Sequence, residues 1–131
     1  MILEIIQKII TLSSNRIPYL IRNGEWDFYK WSETYIKWMI DEIEEVKEEL
    51  KENNHVYLED ELWDIFWDYM CFLESLEQEW KINKSRVFDR CYAKFSGRLN
   101  PDGSNNGEWS TVKKIQKEKL KEEHDAVFWI S

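Results

Sequence analysis

Residues that interrupt helices are scarce in this sequence, which has 4 glycines and 2 prolines among 131 residues. Glycine and proline mark the frequent turns of strand-rich folds, so their scarcity favours long helices. Charged residues make up 34% of the chain and hydrophobic residues 43%, which supports a hydrophobic core and argues against disorder. Since this length also fits one domain, we predict a single all-α domain over residues 1–131.

Cysteine and histidine are equally scarce, with 2 of each. Cys71 and Cys91 both fall in apolar helical patterns, where a buried free thiol is the usual state, so we predict no disulfide framework. Their wide separation and the lack of partner histidines also argue against a zinc site. His55 and His124 form no Ser-His-Asp pattern, and the glycines match no phosphate-binding loop.

Positive charge and uninterrupted apolar runs are lacking as well. The net charge of −8 argues against a nucleic-acid partner, but not against a nucleotide substrate, because bound cations can offset the acid. Charged and polar residues interrupt the apolar stretch Met1–Leu12, which predicts an amphipathic helix ending at Ser13-Ser14-Asn15 rather than a signal peptide or membrane span. We therefore expect a cytoplasmic protein without a membrane partner.

Two acidic segments stand out in the middle of the chain. Glu42 and Glu45 are three residues apart, and so are Glu61 and Asp64. Positions i and i+3 share one face of a helix, so each pair projects together. The polar stretch 51–55 suits a turn, and helices joined by a short turn pack antiparallel. The two pairs can then face each other and offer carboxylate oxygens to Mg²⁺ or, in its place, to Mn²⁺.

An ordinary solvated face is the alternative interpretation of these carboxylates, and for residues 42–52 alone it is the better one. The second helix favours a metal site because it is apolar nearly all round, with only Glu61, Asp64 and Asp68 forming a polar stripe. Carboxylates on a buried helix must be paired, hydrogen-bonded or metal-bound. Asp68 and Glu49 lie two turns beyond the motif residues and are auxiliary candidates at most.

The pattern E-x-x-E, a spacer, then E-x-x-D resembles the metal motif of the MazG-like nucleoside triphosphate pyrophosphohydrolases. Three further elements are similar to the family's in the same order: Trp26-Asp27, the segment Lys94–Arg98, and Trp109–Lys113. Together they cover roughly residues 24 to 120. The resemblance implies an all-α helical bundle with two antiparallel metal-binding helices, completed by oligomerisation.

The resemblance also implies an activity and roles for single residues. The reaction would be Mg²⁺-dependent hydrolysis of a nucleoside triphosphate, NTP or dNTP, to the monophosphate and pyrophosphate. The resemblance makes Glu42, Glu45, Glu61 and Asp64 the metal-binding catalytic residues. Lys94 and Arg98 would contact the triphosphate, although Gly97 stands where the family often has a second arginine. Trp26 would stack on the base. The alternatives are an ordinary surface cation pair for Lys94 and Arg98, core packing for Trp26, and a weaker phosphate contact at Lys113.

The all-round apolar character of residues 62–76 predicts a homodimer or homotetramer, with Trp63, Trp67 and Met70 as interface candidates. Two other functions stay open: a diphosphatase specific for dUTP or dCTP, and a non-catalytic acidic interaction module. A di-iron bundle would need E-x-x-H pairs, which the acidic segments lack. Turn-forming residues predict a loop at 97–108. Periodicity predicts four helices besides the first, at Glu25–Glu52, Tyr57–Trp80, Lys84–Phe95 and Trp109–His124.

Overall fold

The computed structural model describes residues 1–23 and 30–130, apart from the side chains of 128–130. Within these ranges the chain forms only α-helices and one isolated bridge between Leu99 and Asn105, so the all-α prediction is confirmed. The helices are α1 (Ile2–Asn23), α2 (Ser32–Glu49), α3 (His55–Gln78), α4 (Lys84–Arg98) and α5 (Trp109–Ile130).

The chain divides into two compact units, Met1–Lys84 and Ser85–Ser131. In the first unit, α1 and α2 both pack on α3. Its core is a cluster of buried side chains from all three helices: Ile17, Leu20, Tyr35 and Cys71. The second unit holds most of α4, the turn-rich connection 99–108, and α5. The single-domain organisation stays a prediction.

Helix α1 is longer than the sequence predicted, because it does not end at Ser13-Ser14-Asn15. The Ser13 hydroxyl donates a hydrogen bond to the Ile10 carbonyl at 2.9 Å and so satisfies itself inside the helix. Ile17 and Leu20 continue the apolar stripe and are fully buried. Their burial outweighs the cost of Pro18, which lies inside the helix without an N–H to donate.

The connection between α2 and α3 is the short turn expected from the sequence. The Asn54 side-chain amide donates to the Glu49 carbonyl at 2.9 Å and to the Glu49 carboxylate at 2.6 Å. Asn53 takes a positive φ of 56°, which asparagine tolerates better than most residues. This turn makes α2 and α3 an antiparallel hairpin and places their acidic segments opposite each other.

Several sequence predictions about boundaries and burial were wrong. Helix α2 begins at Ser32, later than predicted, and α5 runs on to Ile130, beyond the predicted end at His124. Cys91 is exposed rather than buried. Met70 is only 2% exposed because it packs inside its own unit, so it is not an interface candidate. Trp67 packs partly against the core, whereas Trp63 is half exposed.

The end of α3 caps the beginning of α2. The Glu79 carboxylate accepts hydrogen bonds from the Ser32 backbone N–H at 3.0 Å and from the Ser32 hydroxyl at 2.7 Å. A carboxylate beside a helix N-terminus satisfies free N–H groups and opposes the positive end of the helix dipole. These bonds to Ser32 hold the pKa of Glu79 below its usual value against the opposing effect of burial.

We expect Glu79→Ala to lower the free energy of unfolding by about 1–2 kcal/mol, since it removes a charged cap from a half-buried helix end. Urea unfolding followed by circular dichroism measures this change. Glu48→Ala, at an exposed position on α2, is the matched control and should change stability far less. Equal losses in the two variants would show that the cap contributes nothing specific.

None of the helices in residues 1–23 and 30–130 combines the length and apolarity that crossing a bilayer requires.

Candidate functional site

The α2–α3 hairpin brings the predicted carboxylates together. Oxygens of Glu42, Glu45 and Glu61 lie within 4.8 Å of one another. A second group of oxygens, from Asp60, Glu61 and Asp64, meets the same limit. Glu61 belongs to both groups and therefore joins the α2 pair to the α3 pair. The i, i+3 spacing and the antiparallel packing are sufficient to produce this carboxylate cluster.

Three buried oxygens at this place have no hydrogen-bond partner among the described residues. They are Glu42 Oε2, Glu61 Oε2 and Asp68 Oδ2. Buried carboxylate oxygens almost always have a partner, because leaving one without water or a donor costs free energy. Across residues 1–23 and 30–130, no ion pair reaches any of the four motif carboxylates. Carboxylate oxygens are the ligands that hard divalent cations prefer.

The pKa values of three of the clustered carboxylates are raised above their ordinary values. Burial, then a hydrogen bond and the charge of Glu45, raise the pKa of Glu42 to about 8. Burial, followed by the proximity of Glu45, also raises the pKa of Glu61. For Asp64 the causes of a raised pKa are burial and the charges of Asp60 and Glu45. Without a cation, the protein therefore holds protons among these carboxylates at pH values where free carboxylates are ionised.

Asp68 is a stronger site residue than the sequence suggested. It is 5% exposed, and burial together with the charges of Asp64 and Glu45 raises its pKa to about 6. It lies one turn beyond Asp64 on α3, next to the cluster rather than in solvent. Asp60, which the motif does not include, also joins the cluster. The apolar residues around Asp68 in the sequence were the signal that could have identified it as a site residue. No sequence signal pointed to Asp60, which is exposed.

The neighbouring acidic residues of α2 have other roles. Glu49 is engaged by Asn54 at the turn, so it is not available to the carboxylate cluster. Glu44 is exposed and forms an ion pair with Lys47 at 3.4 Å. An exposed pair of this kind contributes little to stability. Glu45 is exposed as well, so it differs from Glu44 in its closeness to the oxygens of Glu42 and Glu61 rather than in burial.

We expect Asp68→Asn to raise the stability of the metal-free protein at pH 8 by about 1 kcal/mol. The change removes a buried negative charge and provides an amide that can donate to neighbouring carboxylates. Chemical denaturation in EDTA measures it, with Asp41→Asn, at an exposed position on α2, as the control. A lower stability of Asp68→Asn than of the control would mean that the Asp68 carboxylate makes a favourable contact in the native protein.

The predicted phosphate contacts lie in the second unit, on the last turns of α4. Arg98 is only 9% exposed. Its guanidinium carbon lies 5.0 Å from the Trp109 ring centre and 5.7 Å from that of Phe95, and its Nε donates to Gln116 Oε1 at 2.8 Å. Lys94 is exposed, and its side chain has no partner among the described residues. Two of the sequence elements, at 94–98 and at 109–113, thus meet through Arg98 and Trp109.

Two other candidates receive no structural support. Trp26, the predicted base-stacking residue, lies outside the described residues, as does Asp27. Lys113 is exposed on the first turns of α5, together with neighbouring lysines. Its weak candidacy as a phosphate contact stays a prediction. The metal and substrate assignments of the other residues also stay predictions.

Comparison with known proteins gives one match. The model of the MazG nucleotide pyrophosphohydrolase domain matches residues 30–101, which is more than half of the chain. The matched segment spans α2, α3 and α4 and includes the four motif carboxylates as well as Lys94 and Arg98. Neither the curated proteins nor the solved structures contain a significant match.

Proposed function

Because the chain belongs to the MazG nucleotide pyrophosphohydrolase family, we propose that it hydrolyses a nucleoside triphosphate, NTP or dNTP, to the monophosphate and pyrophosphate with the help of Mg²⁺. The observation that carries the proposal is the carboxylate cluster with its unpartnered buried oxygens, which lies inside the matched segment. The proposed role is housekeeping of the nucleotide pool in the cytoplasm.

The four motif carboxylates, Glu42, Glu45, Glu61 and Asp64, would hold the cation, with Mn²⁺ able to replace Mg²⁺. Bound there, the cation would neutralise phosphate charge and acidify a water molecule. The carboxylates would hold the cation through their oxygens. Asp68, which is buried beside them, would position or deprotonate the attacking water. This role suits a carboxylate that has a raised pKa and an oxygen without a partner.

Lys94 and Arg98 are proposed to contact the phosphates. Arginine offers paired donors that match two phosphate oxygens, whereas lysine acts as a point charge. Trp26 is retained as the proposed base-stacking residue on the strength of the resemblance alone. An aromatic face stacks on any base, so this contact would give little base selectivity.

A homodimer or homotetramer is proposed for the assembly. Apolar residues of α2 remain exposed at spacings of four, three and seven residues, which place them along one face, as on the contact face of paired helices. They are Ile36, Ile40, Ile43 and Leu50. Leu62, Trp63 and Tyr69 of α3 are also partly exposed. A second copy of the chain would bury these side chains and gain hydrophobic free energy.

Incubating the purified protein with a panel of NTPs and dNTPs in Mg²⁺ tests the function. Pyrophosphate release from many substrates supports the proposal. Release from dUTP or dCTP alone supports the pyrimidine-specific alternative. Release from none, with or without Mn²⁺, contradicts both enzymes and leaves the acidic helical interaction module. The same assay with EDTA tests the metal requirement.

A further inference from the structure

Arg98 is a buried cation without an anion. Its side chain is more than nine-tenths buried, yet no carboxylate pairs with it in the part of the chain that the structure describes. The only hydrogen bond of the side chain within that part uses Nε, which leaves the donors of Nη1 and Nη2 without a protein partner there. Burying a charge costs free energy unless it is paired. Neither Nη atom is among the fully buried atoms without a partner in the described residues, so both reach solvent from a largely buried side chain, where an oxyanion could accept from them.

The side-chain amide of Gln116, on α5, bonds to the Arg98 guanidinium with its oxygen and to the α4 backbone with its nitrogen. Its Oε1 accepts the bond from Arg98 Nε at 2.8 Å, and its Nε2 donates to the Lys94 carbonyl at 2.9 Å. Because the Nε2 bond anchors the amide to the α4 backbone, Oε1 is fixed relative to Arg98. The Trp109 and Phe95 rings restrict the guanidinium further through cation–π contacts. The Nε edge of the guanidinium is thus occupied by Gln116, whereas the Nη edge stays available to a ligand.

Gly97 makes room for this arrangement. A Cβ atom at position 97 would lie 2.8 Å from Gln116 Nε2, closer than real contacts allow. Any larger residue at position 97 would therefore displace the Gln116 amide from the Lys94 carbonyl. At the position of Gly97, the family that this sequence resembles often has a second arginine. This chain has instead a small residue that admits a fixed amide, so the remaining arginine is oriented rather than duplicated.

We infer that Gln116 is a positioning residue, which orients the Nη edge of Arg98 toward an oxyanion of the substrate's phosphate chain. The inference rests on the proposed function for the identity of the anion. The side chain of Gln116 acts through Arg98 and needs no contact with the substrate itself. A fixed guanidinium loses less conformational entropy on binding than a mobile one, so the effect of Gln116 falls on affinity.

The test compares the unaltered protein with Gln116→Ala, Gly97→Ala and the double variant. We expect each single variant to raise KM for the nucleotide, and the Kd for inorganic triphosphate measured by calorimetry in Mg²⁺, by about ten-fold. The value of kcat should change much less, because the lost interaction is a binding one. Glu122→Ala, at an exposed position on α5, is the matched control and should leave both constants unchanged.

The double variant separates positioning from a general structural role. If Gly97→Ala acts by displacing the Gln116 amide, it has no further effect once that amide is absent, so the double variant should match Gln116→Ala. Alanine also favours a helix over glycine, so Gly97→Ala should keep its thermal stability while its affinity falls. Additive losses, or unchanged KM and Kd in the single variants, would overturn the inference.

The two readouts also distinguish this inference from the proposed function. If no nucleotide is hydrolysed but triphosphate binding weakens as described, Gln116 positions Arg98 for an anion in a protein with another activity. If hydrolysis proceeds and triphosphate binding is equal in all variants, the function stands and the role of Gln116 is refuted. A failure of the unaltered protein to bind triphosphate also refutes the role.

Discussion

Replacing Glu45 with glutamine is expected to lower the rate of pyrophosphate release by about a thousand-fold, while the helical fold stays intact. Glutamine keeps the size of the side chain and one carbonyl oxygen, so packing changes little. It removes one negative charge from the carboxylate cluster that is proposed to hold Mg²⁺, and the affinity of such a site would depend on charge. Initial rates with the preferred nucleotide, together with a far-ultraviolet circular dichroism spectrum, measure the two parts of this expectation.

The neighbouring residue supplies the control. Glu44 is exposed, lies about 100° round α2 from Glu45, and pairs with Lys47 on the solvent face. Glu44→Gln carries the same change of charge one residue away and should keep nearly full activity. A similar loss in both variants, or full activity in Glu45→Gln, would show that the face assignment and the metal site are both wrong.

Without metal, the protein should lose thermal stability as the pH rises from about 5 to 8, and Mg²⁺ should restore it. Burial and the neighbouring carboxylates raise the pKa of Glu42 to about 8 and that of Asp68 to about 6 in the folded chain. The unfolded chain releases these protons near the ordinary carboxyl pKa of about 4. Between the folded and unfolded values the folded state binds more protons, so the free energy of unfolding falls as the pH rises.

A cation that binds only the folded carboxylates adds about 3 kcal/mol when its free concentration is about a hundred times Kd. Its effect should be larger at pH 8 than at pH 6, because protons compete with it for the same oxygens. Melting temperatures measured across a Mg²⁺ titration at both pH values, with EDTA as the reference, test this. No change with Mg²⁺ at either pH would contradict a metal site at the carboxylate cluster.

The central hairpin and its acidic pairs could be predicted from the sequence because their geometry is local. The i, i+3 spacing of Glu42 and Glu45 places both side chains on one face of any helix. The polar stretch 51–55 predicts the turn. Two such local facts place the pairs opposite each other. The all-α fold followed in the same way from periodicity and from the scarcity of glycine and proline.

The features that were missed depend on contacts between distant parts of the chain. Ser13 and Pro18 look like a helix end in isolation, and only the burial of Leu20 within the three-helix core shows why α1 continues. The contact of Gln116 with Arg98 joins residues that are 18 positions apart, and no periodicity announces it. Asp68 was recognised as polar on an apolar helix, but the absence of a partner for its oxygen is a fact of packing.

Hydrogen bonds join α2 and α3 at both ends of their hairpin. Asn54 donates to Glu49 at the turn, and Ser32 donates to Glu79 at the other end. Hydrogen bonds at both ends fix the axial register of one helix against the other. A slip of one helical turn moves a side chain by about 5.4 Å, which exceeds the 4.8 Å within which the carboxylate oxygens lie. The spacing of the carboxylates is therefore set from outside the cluster, by groups that take no part in it. Because the helices cannot slide, the carboxylates relieve their mutual repulsion by holding protons, and a bound counter-charge would relieve it in the protons' place.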